Sequence, residues 1–365
     1  MEPSPEPIEA VSQRLDNFIS DQLSFALPLG PEAVALTRVG AASLRGGKRL
    51  RARFCLTGWR AVEETRSDAS PAPSEAIVAV AASLEVFHAA ALVHDDLIDS
   101  SDTRRGQPAA HRALQNAHVS SGWSGDAEAF GRSGAVLLGD LLVAWSDDLF
   151  EDGLALAPAG PAAATRRHYA RMRRDVTVGQ FLDVAEESAY SAYADDTHAE
   201  RALRVASYKS ARYSIQQPLQ IGAALAGADA AQLDALERFG HDVGMAFQLR
   251  DDVLGVFGDT AVTGKPSGDD LREGKRTVLV AYAREALSPA ARRELDGLLG
   301  DRTLDAAQIG HLQRTIVDTG ALARTEDLIA DFARRADAAL DAAHVGETAR
   351  SELRALSRAA TQRTA

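Results

Sequence analysis

Apolar residues recur every three or four positions along most of the chain, the spacing that places them on one face of an α-helix. Alternating runs of β-branched residues, which are typical of strands, are nearly absent. We therefore predict an all-α fold. The predicted helices span residues 8–26, 31–43, 48–65, 75–99, 108–118, 133–151, 161–189, 198–226, 229–257, 276–287, 289–299, 305–318, 320–342 and 346–361.

No linker interrupts this pattern, although 365 residues are more than a usual domain contains. The Ser/Pro/Ala-rich stretch 67–74 and the Gly/Ser-rich stretch 120–134 are short enough to be loops. We predict one domain over residues 1–365. The apolar run Ala76–Val93 is nearly long enough to cross a membrane, but it contains Glu85 and His88. It therefore predicts a buried core helix and no stable membrane insertion.

The charge and the cysteine content narrow the class of protein. The net charge of −12 argues against nucleic acid as a partner. The single Cys55 excludes an internal disulfide and fits a reducing compartment. The N-terminus lacks the basic and then apolar pattern of a secretion signal. We expect a cytoplasmic protein.

Two pairs of adjacent aspartates stand out because each follows an apolar helical run. The first is Asp95 and Asp96, with Asp99 one turn later, and the second is Asp251 and Asp252. Carboxylates four residues apart on a helix share a face and repel each other, so they need a cation. Mg²⁺ prefers one or two carboxylates together with phosphate oxygens. The pairs predict a diphosphate site bridged by Mg²⁺, and the alternative is a solvated acidic helix end.

Basic residues accompany both acidic pairs. They are Lys48 and Arg51, Arg104 and Arg105, Lys209, and Lys265 and Lys275. The first two lie three apart, on one face of a predicted helix, after a glycine pair that lets the backbone approach an anion. Arginine binds phosphate through two parallel hydrogen bonds, and lysine acts as a point charge. Together with the aspartates, these residues predict a cavity for two diphosphates and their metals.

Five motifs occur in order between about residues 40 and 280. They read GGKRLR at 46–51, HAAALVHDDLIDSSDTRRG at 88–106, VGQFLD at 178–183, YKSARYS at 208–214, and FQLRDDVLGVFGD with TGKPSGDDLREGKR at 247–276. Through them the chain resembles the trans-isoprenyl (polyprenyl) diphosphate synthases, and most of all the bacterial short-chain geranylgeranyl diphosphate synthases. The resemblance implies the isoprenoid synthase fold, a large helical bundle around a central cavity. It also implies a homodimer.

The resemblance further implies a reaction, in which isopentenyl diphosphate is joined head-to-tail to an allylic diphosphate with about three Mg²⁺. The metals would be held by the acidic residues Asp95, Asp96, Asp99, Asp251, Asp252 and Asp183. The charge on the leaving allylic diphosphate would be neutralised by Arg104, Lys209 and Lys265. Isopentenyl diphosphate would be bound by Lys48, Arg51, His88 and Arg105. Further contacts would come from Ser210, Gln248 and Lys275, and Gln180 would orient metal-bound water.

The second acidic motif departs from the family pattern. The family often has a third aspartate four residues after the first, and this chain has Gly255 there. Asp259 lies two turns beyond Asp251 and could support the site through water. The sequence leaves open whether Asp259 compensates for Gly255.

Product length is predicted from the helix that leads up to Asp95. In the family, a bulky residue four or five positions before this aspartate closes the tunnel for the growing chain, and here these positions are Ala90 and Ala91. Phe87 lies one turn deeper and could form the floor of the tunnel, or it could simply pack in the core. One turn rises 5.4 Å, close to one isoprene unit, so we expect a product of about twenty or twenty-five carbons.

Two other functions use parts of the same pattern. A class I terpene cyclase shares the first aspartate motif, but would carry an Asn/Asp, Ser/Thr and Glu triad as its second motif and would not need Lys48 and Arg51. A non-catalytic subunit of a heteromeric synthase would usually have lost one acidic motif, whereas both are present here.

Overall fold

Helices form most of the part of the chain that the computed structural model describes, which is residues 7–66, 72–258 and 267–361. They are α1 Pro7–Ala26, α2 Pro31–Ser43, α3 Leu50–Glu63, α4 Glu75–Ile98, α5 Ala110–Ser120, α6 Ala127–Ala155, α7 Ala159–Ala189, α8 His198–Val205, α9 Gln217–Leu225, α10 Ala230–Phe257, α11 Asp269–Glu273, α12 Val278–Ala286, α13 Pro289–Leu298, α14 Ala306–Asp318, α15 Ala321–Asp341 and α16 Glu347–Thr361. A π-helical segment, Ala206–Gln216, joins α8 to α9. The predicted all-α class is confirmed.

Short irregular elements connect some of the described helices. Single 3₁₀ turns lie at Leu27–Leu29, Tyr190–Ala192 and Asp195–Thr197. A two-stranded hairpin pairs β1 (Thr103–Arg104) with β2 (Gln107–Pro108) in antiparallel register. The hairpin and α11 were not predicted, because segments of two to five residues carry no helical or strand period.

Helix α6 begins earlier than its composition indicates. The prediction placed 120–134 in a loop, but the helix starts at Ala127. The side chain of Asp126 accepts hydrogen bonds from the backbone N–H groups of Glu128 and Ala129, at 2.9 and 3.1 Å. This N-cap satisfies donors that the first turn leaves unpaired, and so it outweighs the unfavourable glycine and serine content.

Helix α4 is the centre of the fold. It starts at the N-cap Ser74 and is buried along most of its length, packed mainly against α6 and α3. In the described part of the chain it is the one helix that is long and apolar enough to span a membrane. Of its apolar 18-residue stretch, 83% is buried inside the protein. A first apolar core surrounds α4, and a second lies between α8, the π-helical segment, α10 and the helices that follow α10. This packing brings the C-terminal ends of α4 and α10 to one cavity.

Candidate active site

A cavity of about 1330 Å³ lies between the end of α4, the start of α3, the hairpin, the end of α10 and α11. Its wall carries basic groups beside acidic ones. The predicted site residues that line it are Lys48, Arg51, His88, Asp99, Arg104, Arg105 and Asp251. Residues that are far apart in the sequence therefore meet at one site with both signs of charge.

The segment before α3 turns sharply into the cavity wall. Arg49 has a left-handed backbone (φ 51°) and is the last residue before the helix, which begins at Leu50. The prediction that Lys48 and Arg51 share a helix face is therefore wrong, because Lys48 precedes the helix. The guanidinium of Arg49 donates to the carbonyl of Leu44 at 2.8 Å and lies 3.6 Å from the buried carboxylate of Glu85. Arg49 and Glu85 thereby hold in place the turn before α3, which we call the α3 corner.

An aromatic ring links two of the predicted substrate ligands. The guanidinium carbon of Arg51 lies 4.2 Å above the ring of Tyr213, and its Nη2 donates to the hydroxyl of Ser214 at 2.8 Å. On the same ring, the hydroxyl of Tyr213 lies 3.1 Å from Nδ1 of His88. Burial first, and then the nearby charge of Arg51, lower the pKa of His88 well below its usual value. His88 is thus a neutral hydrogen-bonding group.

The hairpin points its two arginines in different directions. Arg104 donates to Oδ1 of Asp96 at 2.8 Å through Nε and to Oδ2 of Asp95 at 3.3 Å through Nη2. Arg105, whose φ is 53°, donates to the carbonyl of Arg45 at 2.8 Å and packs over Gly47. Burial raises the pKa of Asp96 even though Arg104 opposes this. The hairpin thus places one cation on the aspartates and one beside the α3 corner.

Lys209 joins the first acidic motif to α7. Its Nζ donates to Oδ2 of Asp183 at 2.5 Å and lies 3.4 Å from Oδ1 of Asp95. Burial alone would lower the pKa of Lys209, but the charges of the two carboxylates outweigh it and raise the pKa. Asp99 ends α4, and burial followed by the charge of Asp95 raises its pKa to about 6. The predicted proximity of Asp95, Asp183 and Lys209 is present in the structure.

The second acidic motif divides its two aspartates between cavity and core. Asp251 lines the cavity. Asp252 is buried and accepts a hydrogen bond of 2.7 Å from the amide of Gln248. Burial, followed by the charge of Asp270, raises the pKa of Asp252 to about 8. A neutral Asp252 is therefore favoured at neutral pH in the absence of a cation.

Helix α11 brings further charges to this motif. Nζ of Lys275 lies 2.6 Å from Oε2 of Glu273 and 3.4 Å from Oδ1 of Asp270. The carboxylate of Asp270 lies over Gly255 of α10, where a side chain would otherwise project. Asp269 and Glu273 line the cavity. The sequence predicted a ligand role for Lys275 but none for these carboxylates, because no regular spacing relates them to Asp251.

The three predicted chain-length residues lie behind the aspartates and do not line this cavity. Phe87 and Ala90 are buried, and Ala91 is half-buried. The ring of Phe87 packs edge-on against Tyr169 and Tyr213, with centroid distances of 6.4 and 5.9 Å. Phe87 therefore belongs to an aromatic cluster between α4, α7 and the π-helical segment.

The remaining predicted residues have different outcomes. Lys265 and Asp259 lie outside the described residues. Ser210 lies beside Lys209 in the π-helical segment and does not line the cavity. Gln180 has a buried amide nitrogen without a hydrogen-bond partner. A residue that the sequence did not indicate, Arg302, lines the cavity and donates to the carbonyl of Asp99 at 2.7 Å.

The donor set fits a hard cation that brings its own oxygen ligands. Within the ranges that the structure describes, no three His, Cys, Asp or Glu side chains lie close enough to hold a metal by themselves. Carboxylates are nevertheless concentrated at the ends of α4 and α10, beside cations suited to phosphate. Mg²⁺ commonly binds through one or two carboxylates, water and substrate phosphate oxygens. The arrangement therefore suits a metal–diphosphate complex better than a bare ion.

Known proteins resemble this chain over most of its length. Residues 34–316 match the family model described as polyprenyl synthetase. A geranylfarnesyl diphosphate synthase of Aeropyrum pernix is 30% identical over 327 residues, 88% of this chain and 90% of its own. A geranylgeranyl diphosphate synthase of Mycobacterium tuberculosis is 36% identical over 212 residues, 58% of this chain and 53% of its own.

A solved structure extends the likeness to the fold. The crystal structure of geranylgeranyl pyrophosphate synthase from Corynebacterium glutamicum, complexed with isoprenyl diphosphate and magnesium, superimposes with a TM-score of 0.90. The two chains are 39% identical, and 98% of each is covered. The helical architecture of that enzyme is therefore also the architecture of this chain.

Proposed function

The chain belongs to the polyprenyl synthetase family and is a trans-prenyl diphosphate synthase, and we propose that its main product is geranylgeranyl diphosphate. The proposed reaction condenses isopentenyl diphosphate with allylic diphosphates, with Mg²⁺ as the cofactor. The observation that carries it is the cavity whose wall holds Lys48, Arg51 and Arg105 together with Asp99, at the end of α4, and Asp251 of α10. The family comparisons do not favour the terpene cyclase or the non-catalytic subunit.

The two diphosphates would occupy opposite sides of the cavity. Isopentenyl diphosphate would lie at the α3 corner, against Lys48, Arg51 and Arg105, with neutral His88 as a hydrogen-bonding group. The allylic diphosphate would lie between the acidic motifs, beside Arg104 and Lys209. This separation would bring the double bond of one substrate towards the reacting carbon of the other.

The cations would promote the ionisation of the allylic substrate. Arg104 and Lys209 would stabilise the charge that grows on the leaving diphosphate, an electrostatic effect that is strongest in a site that excludes water. Mg²⁺, held by Asp95, Asp99 and Asp251, would supply further positive charge to the same oxygens. The double bond of isopentenyl diphosphate would attack the resulting allylic cation. The released diphosphate would then remove the proton.

The small residues behind Asp95 support a product longer than fifteen carbons. Ala90 and Ala91 leave the wall of α4 without a bulky group one turn behind the aspartate. Phe87 would close the tunnel one turn further. The relatives include both geranylgeranyl and geranylfarnesyl diphosphate synthases, which differ in product length. Product analysis therefore decides the length for this protein.

A homodimer and a cytoplasmic location are also part of the proposal. Large apolar side chains project from the outer faces of α5 and α6, among them Val119 and Leu137, which are 65% and 62% exposed. Such a face is typical of a surface that a second subunit covers. The single cysteine, which fits a reducing compartment, supports this location.

The deciding experiment is a product analysis. Purified protein is incubated with isopentenyl diphosphate, Mg²⁺ and each allylic diphosphate in turn, and the products are separated by chromatography. A dominant product of about twenty carbons is expected from the length of the α4 wall. A dominant product of fifteen carbons would contradict the proposed length, and a cyclised hydrocarbon would contradict the reaction.

A further inference from the structure

The last turn of α4 depends on a partner from outside the helix. Asp99 is the C-cap residue, and Ser100 after it has a left-handed backbone (φ 55°) although it is not glycine. The N–H of Ser101 then closes the turn on the carbonyl of Asp96 at 2.8 Å. The carbonyl of Asp99 lies beyond this bond. Carbonyls at the end of a helix receive no hydrogen bond from within it, so an outside partner decides how firmly the end is held.

Arg302 supplies this partner. Its Nη2 donates to the carbonyl of Asp99 at 2.7 Å, although 203 residues separate the two in the chain. A cation that hydrogen-bonds the last carbonyls of a helix also interacts favourably with the negative end of the helix dipole. Both residues line the cavity. The contact therefore holds the end of the first acidic motif at the cavity wall.

Arg302 lies on the turn of residues 300–304, between α13 and α14, which packs on α11. The N–H of Gly300 donates to the carbonyl of Leu271 at 2.9 Å. In the opposite direction, Nε of Arg272 donates to the carbonyl of Leu304 at 3.3 Å. These two bonds fix both ends of the turn to α11, whose residues Arg272 and Glu273 line the cavity with Arg302.

The turn also restrains itself. One carboxylate oxygen of Asp301 accepts hydrogen bonds from the N–H and the hydroxyl of Thr303, at 2.8 and 2.6 Å. An aspartate that bonds the backbone two residues ahead stabilises a turn. The side chain of Arg302 therefore leaves a restrained backbone, and the contacts from α11 through this turn to α4 form one connection across the cavity.

We infer that Arg302 is a positioning residue for the allylic half of the site. It clamps the end of α4 to the turn on α11, and it thereby keeps Asp99 where the allylic diphosphate and its metal are proposed to bind. The inference rests on the proposed function and adds to it a residue that contacts the backbone of the acidic motif and not the substrate. Loss of one net hydrogen bond corresponds to a change of about 3–10-fold in an equilibrium constant.

Three variants separate positioning from charge. Arg302→Ala removes the clamp and one positive charge, and Arg302→Lys keeps a cationic donor. Asp301→Ala loosens the turn but leaves Arg302 in place and makes the region more positive. If Arg302 acted only through its charge, Asp301→Ala would favour an anionic substrate, whereas a positioning role predicts that it weakens binding. The control is Arg293→Ala, an exposed arginine of α13.

The first readout needs no substrate. Hydrogen exchange of the amides of residues 99–101 should be faster by about 3–10-fold in Arg302→Ala and in Asp301→Ala, and unchanged in Arg293→Ala. Circular dichroism verifies that each variant is folded. Exchange at the wild-type rate in both variants would overturn the clamp.

The second readout is the KM for each substrate, with farnesyl diphosphate as the allylic substrate at saturating Mg²⁺. Arg302→Ala and Asp301→Ala should each raise the KM for farnesyl diphosphate by about 3–10-fold and leave the KM for isopentenyl diphosphate nearly unchanged. Arg302→Lys should retain most of the wild-type value. An equal rise for both substrates, or a rise in Arg302→Ala without one in Asp301→Ala, would overturn the positioning role. A wild-type protein that condenses no substrates would overturn the proposed function and the allylic role with it, while the exchange rates still decide the clamp.

Discussion

The rings of Phe87 and Tyr213 meet edge-on, with centroids 5.9 Å apart and planes inclined at 72°. Tyr213 also carries the guanidinium of Arg51 on its ring and the contact with His88 on its hydroxyl. The residue proposed to close the product tunnel therefore shares a neighbour with residues proposed to bind isopentenyl diphosphate. Changes at Phe87 are best judged by product length and substrate affinity together.

Replacing Phe87 with alanine should lengthen the product by one or more five-carbon units, because it removes the bulk one turn below Ala91. Ala91→Phe should shorten the product towards fifteen carbons. Chromatography of the products checks both.

The control for Phe87→Ala is Phe239→Ala, a fully buried phenylalanine of α10. Each alanine is expected to lower the free energy of unfolding by about 3–5 kcal/mol. Only the change at Phe87 should alter the product. A destabilised Phe87→Ala enzyme with unchanged product would assign Phe87 to core packing and place the tunnel floor elsewhere.

Asp95→Ala or Asp251→Ala should reduce turnover by at least about a hundredfold, the scale of losing one electrostatic stabiliser. Both side chains are proposed to hold Mg²⁺ on the allylic diphosphate. Steady-state kcat at saturating Mg²⁺ is the measurement, and circular dichroism should show an intact fold. Near-normal turnover in both variants would exclude the metal clamp.

The basic residues should separate into two kinetic classes. Lys48→Ala and Arg51→Ala should mainly raise KM for isopentenyl diphosphate, because these side chains line the α3 corner of the cavity. Lys209→Ala should mainly impair the allylic substrate and its ionisation, because Lys209 lies beside Asp95. Separate KM and kcat values for each substrate test the division. Equivalent effects from both sets would refute it.

Magnesium should stabilise the protein most at alkaline pH. The pKa of Asp252 is about 8 in the folded protein and 3.8 in its reference state, so the neutral carboxyl favours the folded state at low pH. This contribution is fully present below pH 3.8 and is lost as the pH rises through about 8. A nearby cation opposes the rise in pKa.

Melting temperatures measured from pH 6 to pH 9, with and without Mg²⁺ and inorganic diphosphate, test whether stabilisation by Mg²⁺ increases with pH. The Mg²⁺-dependent increase should grow with pH in the wild-type protein. It should depend less on pH in Asp252→Asn, which cannot ionise. An increase that shrinks as the pH rises would contradict the assignment.

The helices were predictable where periodicity and local signals agree. Helix α2 has the predicted bounds 31–43 because Pro31 opens it at the first position, where proline is favoured. Residues 198–226 are helical as predicted, but the middle of this stretch is a π-helical segment. An apolar repeat in the sequence does not distinguish a π-helix from an α-helix. The start of α6 was missed because the Asp126 cap is a single residue within a glycine-rich stretch.

The site was predictable where its residues form local motifs. Arg104 and Lys209 contact the aspartates of α4, and Asp251 of α10 shares the cavity wall with Asp99 and Arg104. The contacts of Arg302 with Asp99 and of Asp270 with the space above Gly255 could not be predicted, since each joins helix ends that only the tertiary packing brings together. No spacing along the chain encodes such a contact.

Arg104 forms ion pairs with Asp95 and Asp96, and Lys209 forms ion pairs with Asp95 and Asp183. These pairs affect which molecules can bind to the empty site. Arg104 and Lys209 thus already have anionic partners, and each of these three carboxylates already has a cation. A free anion such as ATP or phosphate would have to break these pairs and would leave the carboxylates without a cationic partner. A lone metal ion bound by the carboxylates would leave Arg104 and Lys209 without an anionic partner. A metal–diphosphate complex satisfies both partners at once. We therefore expect the empty site to favour prenyl diphosphates in their magnesium-bound form over a free anion or a lone metal.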